Sequence, residues 1–147
     1  MKNMSVEKMK LEKCMIWIKK TSLIFICVLL ISGCQSHYTV DYGHSSLYSK
    51  QDLKQAVKII LKEFNTWNGC SLRHLQYLGD KKAKNELKYC RSLKKKDYQE
   101  AVVFSSSFHT SKDVEGGFES HEEYTDWQWF LARTKHGKWE LLTWGYA

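Results

Sequence analysis

Proline is absent from all 147 residues, so no turn here rests on a ring-fixed φ and no linker is a polyproline rod. Catalytic signatures are also missing. There is no Cys-x-x-Cys pair, which removes the usual dithiol redox centre. Nor is there a His-Glu-x-x-His run, a Gly-x-Ser-x-Gly elbow or a glycine-rich phosphate loop, so the zinc-protease, serine-hydrolase and nucleotide-binding patterns do not apply. Ser105-Ser106-Ser107 offers hydroxyls, but without an elbow it reads as a strand of small polar residues. His121 with Glu119, Glu122 and Glu123 has the residue types of a metal cluster. Its spacing fits neither a zinc helix nor the alternating oxygen ligands of a calcium loop. No catalytic residue, cofactor or metal site is assigned from the sequence.

Long apolar runs are absent too, with one short exception. Residues 21–32 (TSLIFICVLLIS) carry no charge, follow Lys19 and Lys20, and lead into Gly33 and Cys34. A membrane-spanning helix needs about 20 apolar residues, well beyond this core. A basic start, a short apolar core and small residues before a cut are the layout of a secretory signal. Leu30-Ile31-Ser32-Gly33-Cys34 resembles the lipobox of bacterial lipoproteins. The resemblance implies that Ile31, Ser32 and Gly33 are recognition residues, that residues 1–33 are a signal peptide, and that Cys34 becomes the lipid-bearing first residue. The alternatives are an uncleaved membrane span and an ordinary secretory cut that leaves Cys34 as an unmodified thiol. Translation from Met1, Met9 or Met15 gives the same mature protein. The expected location is the outer face of the cell membrane, with the lipid held through Cys34.

The headline charge of +7 is misleading. Six of the 23 basic residues and two of the 16 acidic ones precede Cys34, which leaves 17 against 14, a net +3. That balance, with no RNA or DNA motif, argues against a nucleic-acid partner. Charge is unevenly placed, however. Residues 80–97 hold eight Lys or Arg against three acids; residues 113–126 hold six acids and no Lys or Arg. The basic segment reads as a solvated helix face, or as one that orients the domain on an anionic leaflet.

Residues 34–48 are polar, with Gly43, His44, Ser45 and Ser46, and read as a flexible lipid-anchored tether. Residues 49–147 read as a single α+β domain. Ser49 and Asp52 form a capping box, and Leu53, Ala56, Val57, Ile60, Leu61, Phe64 and Trp67 recur at helical spacing. Asn68-Gly69 is the expected stop. Residues 70–78 suit a strand with a bulge. Asp80 is placed to cap a second helix, with Ala83, Leu87 and Cys90 inward. Residues 101–109 alternate as a strand, and residues 124–134 and 138–146 make an aromatic-rich hairpin across Lys135-His136-Gly137. Trp144 and Tyr146 fall on the opposite face from Trp139 if that last strand is regular, so a pocket or an exposed patch is expected there.

This element order implies a long first helix and a shorter second one on one side of a curved antiparallel sheet of about four strands. It resembles the cone-shaped nuclear-transport-factor-like and cystatin-like domains. Residues 64–77, with Asn68-Gly69-Cys70, and 139–146 resemble small uncharacterised lipoproteins of Gram-positive bacteria, which implies location and fold but no activity. Cys70 and Cys90 are candidates for a disulfide outside the cell, or for two buried reduced thiols. The leading functional expectation is a non-enzymatic envelope lipoprotein that binds a small ligand or an envelope protein. The alternatives are an enzyme using His109 or His74 beside an acid in a pocket, and an immunity-type protein meeting a cationic toxin with its acidic loop.

Overall fold

In the computed structural model, residues 37–146 are described; the signal segment, the lipobox and Cys34 lie outside them. The first helix, α1 (Lys50–Phe64), starts where the capping box places it. Ser49 Oγ accepts from the Asp52 amide at 3.1 Å, and Asp52 Oδ2 accepts from the Ser49 amide at 3.2 Å. Two orphan amides of the first turn are thereby satisfied. Leu53, Ala56, Val57, Ile60 and Phe64 form the buried stripe. The helix ends at Phe64, and Asn65 to Asn68 turn the chain before Gly69 takes the left-handed φ of +77°.

Five strands follow the order β1 (Thr39–Asp41), β2 (Cys70–Tyr77), β3 (Glu100–Thr110), β4 (Glu123–Arg133) and β5 (Glu140–Gly145) across one sheet. β1 runs parallel to β2; the remaining neighbours are antiparallel. A parallel pair needs a crossover, and α1 supplies it. The second helix, α2 (Gly79–Lys94), connects β2 to β3. None of the helices among the described residues is long and apolar enough to cross a membrane.

The class is α+β, as expected, but three details differ. The sheet has five strands and is mixed. The extra strand comes from the segment read as a tether: Tyr38, Val40 and Tyr42 pack against the main core, and Tyr48 Oη donates to the Ala101 carbonyl at 2.9 Å. The folded part therefore begins well before Ser49. Third, the helices lie on opposite faces, and α2, at 16 residues, is not shorter than α1 at 15. The α1 stripe packs with Val102, Phe104 and Phe108 of β3 and with Trp129 and Leu131 of β4. Cys90 of α2 packs with Ala101, Val103, Phe130 and Ala132, the alternate residues of those strands. Because successive strand residues point to opposite faces, the sheet is sandwiched between the helices.

Three bulges bend this sheet and shape one end of it. Along β2, Leu72 and Leu75 oppose Phe108 and Ser106; along β4, Tyr124 and Trp127 oppose the same two residues. Along β5, Leu141 and Trp144 oppose Leu131 and Trp129. Each strand thus spends three residues where its partner spends two, and the extra residue returns the next side chain to the α1 face. In β4 the extra residue includes Asp126 at φ +57°. Trp144 consequently shares a face with Trp129, stacked at 6.0 Å, rather than facing away from Trp139.

Candidate functional site

The bulges and the turn after α1 bring aromatic rings together at the Phe64 end of the helix. Trp67 is their hub. It stacks on Trp129 at 5.1 Å and meets Phe118 at 5.4 Å, Trp127 at 5.9 Å and Trp144 at 6.1 Å. Phe108 and Tyr124 stack beneath them at 4.9 Å. The inner rings are core. Trp129 is fully buried, and its Nε1 donates to Ser106 Oγ at 2.8 Å. That bond accounts for a serine on an apolar face; Ser106 is a hydrogen-bonded core hydroxyl.

The outer rings are not covered. Trp144 is 40% exposed and Tyr146 65%. Between Trp67, Phe118 and Trp144 opens a cleft of about 320 Å³, whose rim adds Thr66, Asn68, Glu115 and Gly116. A second cleft, of about 260 Å³, lies on the other side of Trp144 against Tyr89 and Glu86 of α2. Trp67 also lines a third hollow with Tyr38, so the chain enters the fold beside this aromatic end.

One wall of the main cleft is the loop between β3 and β4, and it is held in place. The Ser111 amide donates to the Gly69 carbonyl at 2.7 Å, and Asn68 Nδ2 donates to Glu115 Oε2 at 2.8 Å. Thr110, fully buried, donates from Oγ1 to the Glu119 carbonyl at 2.6 Å and accepts there from the Glu122 amide at 2.9 Å. Asn68-Gly69, read from sequence as the helix stop, lies beyond the helix end at Phe64 and instead receives this loop. A Cβ on Gly69 would stand 2.6 Å from Val114 Cα, so only glycine admits the close approach. The six acids of residues 113–126 are exposed along and beyond this wall.

The residues singled out from sequence fall elsewhere. Cys34 lies outside the described residues. Cys70 and Cys90 are free and far apart, which corrects the disulfide expectation. Cys70 pairs with Thr110 at the end of β3, whereas Cys90 packs against Ala101 and Val103 near its start. Seven residues of strand is roughly 24 Å, and a disulfide requires Cα atoms within about 7 Å. Burial pushes the Cys90 thiol up to about 11 and raises that of Cys70. His74 Nδ1 is 2.7 Å from Thr39 Oγ1 at the β1–β2 pairing. His109 Nδ1 lies 3.1 Å from Glu123 Oε1, with both side chains partly exposed and outside the clefts just described. Among the described residues no three His, Cys, Asp or Glu side chains converge as a metal site. The basic residues of α2 are mostly on its exposed side.

Two polar clusters were missed by sequence reasoning, and both are structural. Asp80 does not cap α2 with its side chain. It accepts from Ser45 Oγ at 2.5 Å, from the Ser46 amide and hydroxyl at 2.8 Å each, and from Tyr77 Oη at 3.0 Å. Burial opposes its ionisation, but these donors outweigh it and hold the carboxyl well below the usual range. Arg133, 5% exposed, pairs with Asp52 at 2.8 Å and with Glu100, its guanidinium 4.1 Å from the Trp139 ring centre. These groups tie the start of α1 to the ends of β3 and β4. Compared with protein-family models, with curated protein sequences and with solved structures, the chain matches none.

Proposed function

We propose that this chain is an exported lipoprotein, held on the outer face of the cell membrane through Cys34, whose domain binds a ligand or envelope protein at its aromatic end and catalyses no reaction. The observation that carries the binding part is the uncovered cleft at Trp144. Most large rings of a small domain are core, yet here Trp144 and Tyr146 stand out beside a walled cavity. A carboxylate in that cleft, Glu115, is engaged by Asn68, and no histidine or cysteine lines the cavity. The enzyme reading required a His–acid pair inside a deep pocket. The closest match, His109 with Glu123, is at the surface.

The anchor part rests on the lipobox resemblance to small Gram-positive lipoproteins. Thr39 of β1 is the fifth residue after Cys34, a reach of about 18 Å at most. A lipid on Cys34 keeps the folded domain within that reach of the bilayer. Labelling cells with radioactive palmitate tests this: the wild-type protein takes up label and sediments with membranes, and Cys34→Ser does neither. Label retained by the serine variant, or unprocessed wild-type precursor in the cytosol, removes the anchor.

The exposed acids favour a second reading, interception of a cationic protein at the envelope. Absence of salt-sensitive binding to cationic proteins counts against it.

A further inference from the structure

We infer that the cleft between Trp67, Phe118 and Trp144 receives an organic ammonium group. The inference rests on the binding reading above and names the class of ligand. Three rings and one carboxylate border the cavity, and the faces of Trp and Phe attract cations through their quadrupoles. Trp67 meets Phe118 at 38° and Trp144 at 48°, so the rings form an inclined wall rather than a flat stack. Glu115 supplies the countercharge at the rim, fixed by Asn68 and by its own amide on the Asn68 carbonyl at 3.3 Å.

The loop that walls the cleft has the same sign preference, although Arg73 stands 3.9 Å from Glu123 at its far end. Asp113, Glu119, Glu122, Glu123 and Asp126 accompany Glu115 in a stretch with no Lys or Arg, and Lys112 at its border is exposed. An anionic ligand would meet this potential unfavourably, and a neutral apolar one would gain nothing from it. A small alkylammonium gains from both the rings and the acids, and a cavity of about 320 Å³ holds one with room to spare. The group has two sources, a free amine or the ammonium of a lipid headgroup, since the chain enters beside the same end.

The test uses the full chain in neutral detergent, with tryptophan fluorescence followed against choline and against its uncharged isostere, 3,3-dimethylbutan-1-ol. The expected result is saturable quenching by choline, weakened by salt and about tenfold tighter than with the alcohol. Glu115→Gln, at an exposed position, lowers choline affinity about fivefold, leaves the alcohol unaffected and keeps the urea midpoint. Trp144→Ala weakens both ligands. Equal affinity for choline and the alcohol overturns the ammonium assignment while leaving the cleft a binding site. No saturable, Trp144-dependent response to either overturns both readings. Competition by vesicles rich in phosphatidylethanolamine, but not phosphatidylglycerol, assigns the ammonium to a lipid; competition by neither assigns it to a soluble amine.

Discussion

Arg133 shows how one side chain joins three elements. Its guanidinium is nearly buried between Asp52 on α1 and Glu100 on β3, with the Trp139 ring alongside. A fork of fixed donors suits two carboxylates better than an ammonium does. Arg133→Met leaves both acids facing each other without a countercharge and is expected to cost about 3 kcal/mol. Arg133→Lys should fall between that variant and the wild type, and urea midpoints read the order. Asp80 carries a different signature. Its folded carboxyl titrates below the ordinary value, so its contribution is present above about pH 4, the unfolded value, and is lost as pH falls through the folded one. Melting temperatures between pH 7 and pH 2 check this. Asp80→Asn is expected to melt lower at pH 7 and to show a shallower decline on the acid side. Neither role was legible beforehand, because Asp80 meets Ser45 and Ser46 across 35 and 34 residues and Arg133 meets Asp52 and Glu100 across 81 and 33.

At the level of elements, local signals decided what the sequence disclosed. The first helix was plain because its cap and its stripe both lie within 16 residues. The strand faces were not, because period-two counting assumes a regular ladder. The pairs Leu72 and Leu75, Tyr124 and Trp127, Leu141 and Trp144 are each three apart, and a bulge lets both members reach one face. That spacing is the trace such a bulge leaves in sequence. β1 left one as well: Tyr38, Val40 and Tyr42 alternate, although the serines and glycine after them masked it. The aromatic cleft depends on both the bulges and the loop docked at Gly69. Gly69→Ala places a Cβ against Val114 at a φ of +77°, at an expected cost of about 2 kcal/mol. Hydrogen exchange should quicken in residues 111–122 more than in β3, where the ladder is independent of this contact. Uniform change across both segments would mean that the loop is not a separable unit.

For the molecule as a whole, the decisive boundary is where the folded part begins. A free tether over residues 34–48 would let the domain roam tens of ångströms from the bilayer. The packed segment from Tyr38 onward leaves only a few residues for that purpose, and it contributes to the sheet, to the core and to the Asp80 cluster. These contributions can be measured together. A chain beginning at Ser49 loses the β1 pairing, the half-buried rings of Tyr38, Tyr42 and Tyr48, and the serine donors to Asp80. Against a chain beginning at Ser36, its unfolding free energy in urea should be lower by about 3 kcal/mol or more, from apolar burial and hydrogen bonds together. That is a large share of the roughly 5–15 kcal/mol that holds a domain folded, and the shorter chain should also unfold with a smaller urea dependence because less surface is exposed. Equal stability of the two chains would restore residues 34–48 as a tether. A clear loss makes residues 36–48 part of the folded unit, and leaves the proposed anchor at Cys34 only the few residues before Tyr38 as its span.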